Sequence, residues 1–209
     1  MEVSQEELQR ALAVRLSPEQ CGLLHQARVG IAGLGGLGSH IAVFLARCGV
    51  GMFHLVDFDR VEVSNLNRQH YFIEHLGQLK TEALAGQLAR INPWIDVKLD
   101  SVRVTEENAA GLFADDLLLC EAFDVATSKA FLVNTLLAEN PAIRIVAASG
   151  MAGVSPANEV HTRAVGRRLY VCGDETTAVG GDAPLFASRV ALCAAHQAHQ
   201  IVRLILKQD

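Results

Sequence analysis

The 209-residue chain has no Cys-x-x-Cys pair, no basic-then-apolar start, no unbroken apolar run of membrane length and no surplus of positive charge. Each absence excludes a class of protein. The five cysteines, Cys21, Cys48, Cys120, Cys172 and Cys193, are far apart, whereas a structural zinc needs four converging ligands, usually supplied as close pairs. A zinc site is therefore not expected, and the thiols read as reduced, small apolar side chains. Met1 to Arg10 is polar and acidic, so no secretory signal is expected. The longest apolar stretch, Ile41 to Val56, is broken by Arg47 and His54 and by Gly49 and Gly51, which argues against a bilayer span. Lys and Arg number 18 against 23 Asp and Glu, giving a net charge of −5 and a pI near 5.9. No broad cationic surface is left for nucleic acid or an anionic membrane. What remains is a soluble, cytoplasmic protein with enough apolar residues for a full core, and a length that favours one domain.

No internal repeat or low-complexity tract interrupts the pattern. Apolar runs alternate with helix-period segments, which predicts an α/β fold: a Rossmann-like, mostly parallel sheet with helices on both faces. Strands are expected at Arg28 to Ala32, Met52 to Val56, Ile95 to Leu99, Asp116 to Cys120 and Ile143 to Ala147. Helices are expected after the first glycines, at Gln78 to Ile91, near Thr105 to Phe113 and at Ala126 to Ala138. From Ser149 the texture becomes glycine-rich, around two short strands, Glu159 to Ala164 and Arg168 to Val171, before a last helical segment, Pro184 to Leu206. The division is thus a nucleotide-binding core to about residue 148, with residues 149–209 as a small irregular C-terminal cap with short strands and a final helix.

Gly33-Leu34-Gly35-Gly36-Leu37-Gly38 follows a strand and opens a helix, matching the G-x-G-x-x-G fingerprint. Glycines permit the tight turn and bring backbone N–H groups close to phosphate, and the helix terminus adds unpaired donors and partial positive charge. Asp57 stands nineteen residues beyond Gly38, at the end of the next strand, where a carboxylate reaches ribose hydroxyls. Alone, this pair implies a dinucleotide. The loop from Asp57 to Gln69, however, gathers acids, amides and the arginines Arg60 and Arg68 at the strand's exit, and Lys80 follows in the first turn of the next helix. Hydride transfer needs no second cationic cluster, whereas nucleotidyl transfer does, because charge spreads over the non-bridging oxygens and leaves with pyrophosphate.

These stretches, with Glu121-Ala122-Phe123-Asp124, resemble the ThiF/MoeB/HesA family, relatives of the ubiquitin-activating enzymes, and within it the shorter ThiF subfamily. The resemblance implies ATP-dependent adenylation of the terminal Gly-Gly carboxylate of a small ubiquitin-like sulfur-carrier protein, ThiS-like, in thiamine biosynthesis, with release of pyrophosphate. It implies that Gly33, Gly35, Gly36 and Gly38 cradle phosphate and Asp57 holds ribose. Asp59, Asn65, Arg68, Gln69 and Lys80 complete the ATP site, and Asp124 helps hold Mg²⁺. Arg68, Lys80 and Asp124 are the implied catalytic residues, the enzyme is expected to be a homodimer, and Arg15 matches an amino-terminal arginine that reaches a neighbouring subunit's site. The chemistry is consistent with that set. A carboxylate is ionised at neutral pH and needs no base, but its attack on an anionic phosphate requires converging cations. In-line positioning can supply about 7–11 kcal/mol, against about 1–3 kcal/mol for a single hydrogen bond.

The chain departs from the family pattern in places. Val125 follows Asp124 where relatives have asparagine, Lys129 replaces an arginine, Asn134 is one position off an expected asparagine, and the zinc cysteine pairs are missing. Cys172 is the nearest match to a sulfur-accepting cysteine. Simpler roles stand beside these: Arg68 pairing with Asp59 or Glu62, Lys80 as a surface lysine, Asp124 as a helix cap, Cys172 as a structural thiol, and His196 and His199 as residues of a helix face rather than metal ligands. Alternative activities are activation of a molybdopterin or cysteine-synthesis carrier, or of tRNA-bound threonylcarbamoyladenosine, which the acidic balance disfavours. Outside the family, the alternatives are an NAD(P)-dependent oxidoreductase and a non-catalytic partner subunit.

Overall fold

The computed structural model describes residues 3–177 and 183–208. Two short amino-terminal helices, α1 (Gln5–Leu12) and α2 (Pro18–Gln26), precede the sheet. Both begin on capping boxes, Ser4 with Glu7 and Ser17 with Gln20, in which each serine hydroxyl accepts the N–H three residues on. The strands β1 (Arg28–Ala32), β2 (Met52–Val56), β3 (Asp96–Asp100), β4 (Leu118–Glu121), β5 (Arg144–Ala148), β6 (His161–Val165) and β7 (Leu169–Gly173) form one sheet in the order β3-β2-β1-β4-β5-β7-β6. Every pairing is parallel except β6 with β7.

The helices α3 (Gly36–Arg47), α4 (Lys80–Ile91) and α7 (Ala187–Ile205) share one hydrophobic cluster with Val29, Ile31, Phe53 and Leu55. The short α5 (Ala109–Leu112) and α6 (Ala126–Glu139) bury Phe113, Leu132 and Leu136 with Ala32, Val56 and Leu119 in the other. Successive strand residues therefore feed opposite layers, as the two-residue period requires. β1, β2 and β5 are buried at four of five positions, the continuous burial expected of interior parallel strands.

The elements expected from the sequence all occur, with shifted ends. The helix near Thr105 shrinks to four residues because Asn108 closes a turn, its Oδ1 accepting the Thr105 N–H at 2.8 Å. Asp116 precedes β4 instead of opening it. Its fully buried carboxylate accepts from Arg28 Nε at 2.7 Å and pairs with His54 Nδ1 at 2.5 Å, while His54 Nε2 meets Asp100 at 2.8 Å. In the last third, the two short strands continue the main sheet, β7 pairing with β5, and the final helix α7 lies against α3 and the sheet. Both edge strands carry charge. β3 bears Asp96, Lys98 and Asp100, and on β6 Arg163 grips Glu175 through Nε at 2.9 Å and Nη2 at 2.6 Å.

Candidate active site

The tips of β1, β2, β3 and β4 open into a cleft of about 350 Å³. At β1, the chain leaves through Gly33 at φ +91° and enters α3 at Gly36. A Cβ on Gly38 would stand 1.8 Å from the Gly33 carbonyl oxygen, so only glycine lets the first turn of α3 sit this close to the strand. Gly33, Gly35 and Gly36 line the cleft. Gly38 does not, and its part is to bring helix and strand together.

Asp57 continues from β2 and is 9% exposed. Its Oδ2 accepts the Leu34 N–H at 2.6 Å and its Oδ1 the Asp59 N–H at 2.8 Å. The carboxylate thus fixes the glycine turn to the following loop while still facing the cleft. Burial raises the Asp57 carboxyl; Lys80 and the two N–H donors oppose the shift. Lys80, at the start of α4, is only 6% exposed and its Nζ lies 2.8 Å from Asp59 Oδ2, excluding the surface-lysine role. Arg68 lines the same cleft. Its Nη1 donates to the Ser64 carbonyl at 3.1 Å and Asn67 Oδ1 at 2.9 Å, not to Asp59 or Glu62. Gln69 lines the cleft with Gly35 beside it.

At β4's exit, Lys129 of α6 sets the loop. Its Nζ lies 2.8 Å from Glu121 Oε2 and donates to the Phe123 carbonyl at 2.8 Å, while Glu121 Oε1 accepts the Phe123 N–H at 2.7 Å. Glu121 is fully buried, and burial raises its carboxyl despite the lysine. Asp124 emerges beyond this latch, exposed and lining the cleft. It does not cap α6, whose cap position is Val125 without a side-chain bond.

Asp57, Asp59, Arg68, Gln69, Lys80 and Asp124 therefore converge with the glycine turn. Asn65 does not join them. It is 8% exposed, with Oδ1 accepting the Glu62 N–H at 3.0 Å, so its amide shapes the loop. Arg15 lies exposed in a short turn outside the cleft lining, and Asn134 is exposed on α6. Cys172 is fully buried and burial pushes its thiol up to about 11, which fits the structural role. His196 Nδ1 sits 3.0 Å from Thr162 Oγ1 on a helix face. Sequence reasoning missed Phe58 with Arg103, whose guanidinium carbon stacks 3.8 Å from the ring centroid, and Met151, Leu185 and Val190, all lining the cleft. Position just after β3 could have flagged Arg103; nothing local marks the other three, which reach the cleft through tertiary packing.

A parallel sheet with a glycine turn at a helix start and an acid at the neighbouring strand tip places the molecule in the Rossmann-like α/β class. More narrowly, the chain belongs to the ThiF family, whose model it matches over residues 8–209. It is 36% identical over 139 residues to the sulfur carrier protein adenylyltransferase of Thermus thermophilus, covering 64% of this chain and 51% of that protein. The molybdopterin-synthase adenylyltransferase of Salmonella typhimurium is 41% identical over 102 residues, covering 48% of this chain and 41% of that protein. The chain thus spans about half or less of these curated relatives. Among solved structures, E. coli tRNA N6-threonylcarbamoyladenosine dehydratase, TcdA, in complex with ATP superposes with a TM-score of 0.87 at 20% identity, covering 100% of this chain and 98% of that one. That likeness is one of fold. No helix among the described residues is long and apolar enough to cross a membrane.

Proposed function

We propose that this chain is an adenylyltransferase, a single ThiF-type unit that uses ATP to activate the terminal carboxylate of a small ubiquitin-like sulfur carrier ending in Gly-Gly, releasing pyrophosphate. The observation that carries this reading is the convergence of Arg68, the Lys80–Asp59 pair and Asp124 on one glycine turn braced by Asp57. Similarity to two adenylyltransferases, one named for a sulfur carrier, supports the substrate class. A ThiS-like carrier in thiamine biosynthesis is part of the same proposal and rests on the short-subfamily motifs; a homodimer, from the family and the apolar texture, and a cytoplasmic setting, from the composition, go with it.

The residues fit a magnesium nucleotide. Asp124 and Asp59 offer carboxylate oxygens in the cleft, the donor type that Mg²⁺ takes in small number alongside phosphate. Bound there, the metal would offset phosphate charge. The protein's own residues do the rest. Asp57, already holding Leu34 and Asp59, presents its remaining acceptor capacity to ribose hydroxyls. The Gly33 and Leu34 N–H groups are given to Val56 and Asp57, which leaves Gly35 and Gly36, at the start of α3, as the backbone donors for phosphate. Lys80 exchanges Asp59 for a phosphate oxygen, and Arg68 turns its planar fork from the Ser64 carbonyl to the α-phosphate. The carrier carboxylate is ionised on arrival, so these cations lower the repulsion between the two anions and hold the attack in line.

Exchange of labelled pyrophosphate into ATP tests the reading. The expected result is exchange that depends on a Gly-Gly carrier; no exchange with ThiS-, molybdopterin- or cysteine-type carriers would refute it. A second reading, activation of tRNA-bound threonylcarbamoyladenosine, draws on the end-to-end fold match. It predicts tRNA-dependent ATP consumption, and the surplus of 23 acidic over 18 basic residues argues against it.

A further inference from the structure

The cleft has two apolar sides. Phe58, Val102 and Val104 follow β2 and β3, next to Asp57; Met151 comes from the loop after β5, Leu185 from the segment before α7 and Val190 from the start of α7. In the strand order β3 and β2 lie on one side of β1 and β5 on the other, with the glycine turn of β1 between them. A ribose held by Asp57 puts the base on the β3 side. The Met151–Leu185–Val190 wall is then left for the second substrate, beside the phosphate end: Val190 Cγ1 lies 2.9 Å from where a Gly36 Cβ would be.

This wall has a single mechanical centre outside the cleft. Arg189, 6% exposed in the first turn of α7, has Nη2 2.5 Å from Asp174 Oδ2 and donates from Nη1 to the Ser155 carbonyl at 2.6 Å and the Pro156 carbonyl at 3.2 Å. Asp174 Oδ1 accepts the Thr176 and Thr177 N–H groups at 3.0 and 2.8 Å, and Thr177 Oγ1 accepts the Ala152 N–H at 3.1 Å. One guanidinium therefore ties the loop after β5, the loop after β7 and α7 together. Met151 and Val190 are chain neighbours of the tied Ala152 and Arg189. Burial opposes ionisation of Asp174, yet the threonine donors and Arg189 hold its carboxyl well below the usual carboxylate range, so the pair stays charged. A buried pair of this kind adds little stability over apolar packing of the same volume; what it adds is a fixed geometry.

We propose that the Arg189–Asp174 pair is a positioning element that sets the Met151–Leu185–Val190 wall for the incoming acyl substrate, as distinct from the nucleotide. The proposal rests on the adenylyltransferase reading and names which side of the cleft receives the carrier tail. Arg189 acts through the wall and touches no reacting atom.

The test uses the full chain, a fluorescent ATP analogue for nucleotide affinity, and pyrophosphate exchange titrated with a Gly-Gly carrier that supports exchange by the unaltered protein. For Arg189→Met, the expected result is a nucleotide Kd within about twofold and a KM for the carrier raised about tenfold or more, with kcat changed much less. Arg189→Lys, able to meet Asp174 but not to fork to Ser155 and Pro156, should recover part of that loss. Asp174→Asn keeps the shape and gives the same split where Arg189→Met does not fold. An unchanged carrier KM, or equal loss of nucleotide and carrier affinity in step with a lowered Tm, overturns the proposal. Failure of the unaltered chain to exchange with any carrier would instead sink the reading beneath it.

Discussion

Replacing Lys129 with methionine would strip the buried Glu121 carboxylate of its cation while roughly keeping volume. Lys129 Nζ lies 2.8 Å from Glu121 Oε2, and Glu121 is 0% exposed. At an effective dielectric of about 20, unit charges at that separation attract by about 6 kcal/mol before desolvation is subtracted. Removing one partner of a buried pair costs about 3–5 kcal/mol, a large part of a typical domain stability of about 5–15 kcal/mol. The sign with pH follows from burial, which already raises the Glu121 carboxyl above the ordinary glutamate range and is opposed chiefly by Lys129. Without the lysine it rises further. A carboxyl whose folded pKa exceeds its unfolded one binds more protons when folded, so the penalty is full above the folded value and fades as pH falls toward the unfolded value. Urea unfolding followed by far-ultraviolet circular dichroism should show a loss of about 3–5 kcal/mol near pH 7.5 and a smaller loss near pH 5. Adding Glu121→Gln should restore most of it at the higher pH. A loss below about 1 kcal/mol, or one independent of pH, would refute the reasoning.

Further expectations address the site and its frame. Arg68→Ala should lower carrier-dependent exchange by about 10–150-fold in kcat/KM, the equivalent of one charge-assisted hydrogen bond of about 1.5–3 kcal/mol, with Tm nearly unchanged because the Arg68 guanidinium hydrogen-bonds only within its own loop. Gly38→Ala should destabilise by about 3 kcal/mol or more in denaturant titration, since its Cβ would stand 1.8 Å from a backbone oxygen that no rotamer can move. Thiol labelling followed by mass spectrometry should modify exposed Cys48 and half-buried Cys21, and reach Cys120, Cys172 and Cys193 only in denaturant; a sulfur adduct on native Cys172 would contradict its structural role.

The central strands, the glycine turn and Asp57 were legible because each is local: burial period, a fixed glycine spacing and a counted distance to one acid. Arg68 and Lys80 were legible as a cationic cluster at a strand's exit, while their roles and that of Asp59 came through motif resemblance, and the Lys80–Asp59 pair is a contact that spacing does not encode. Asn65 shows the limit of a motif, since its Oδ1 accepts the Glu62 N–H, its Nδ2 turns to Ser64, and it does not line the cleft. The union of β5 with β7 and the knot around Arg189 rest on contacts between segments far apart in sequence, and no periodicity encodes those. The shrunken helix near Thr105 reflects a side chain competing for a backbone donor, which apolar spacing does not register.

The charged margins of the sheet have a consequence for how copies of this chain meet. Joining strand to strand at β6 would desolvate the Arg163–Glu175 clasp, and joining at β3 would set Asp96, Lys98 and Asp100 against their own images. Ladder growth across subunits is thereby discouraged. Association through helical or loop surfaces carries no such cost, and a crowded solution of this protein has little purchase for fibril-like stacking.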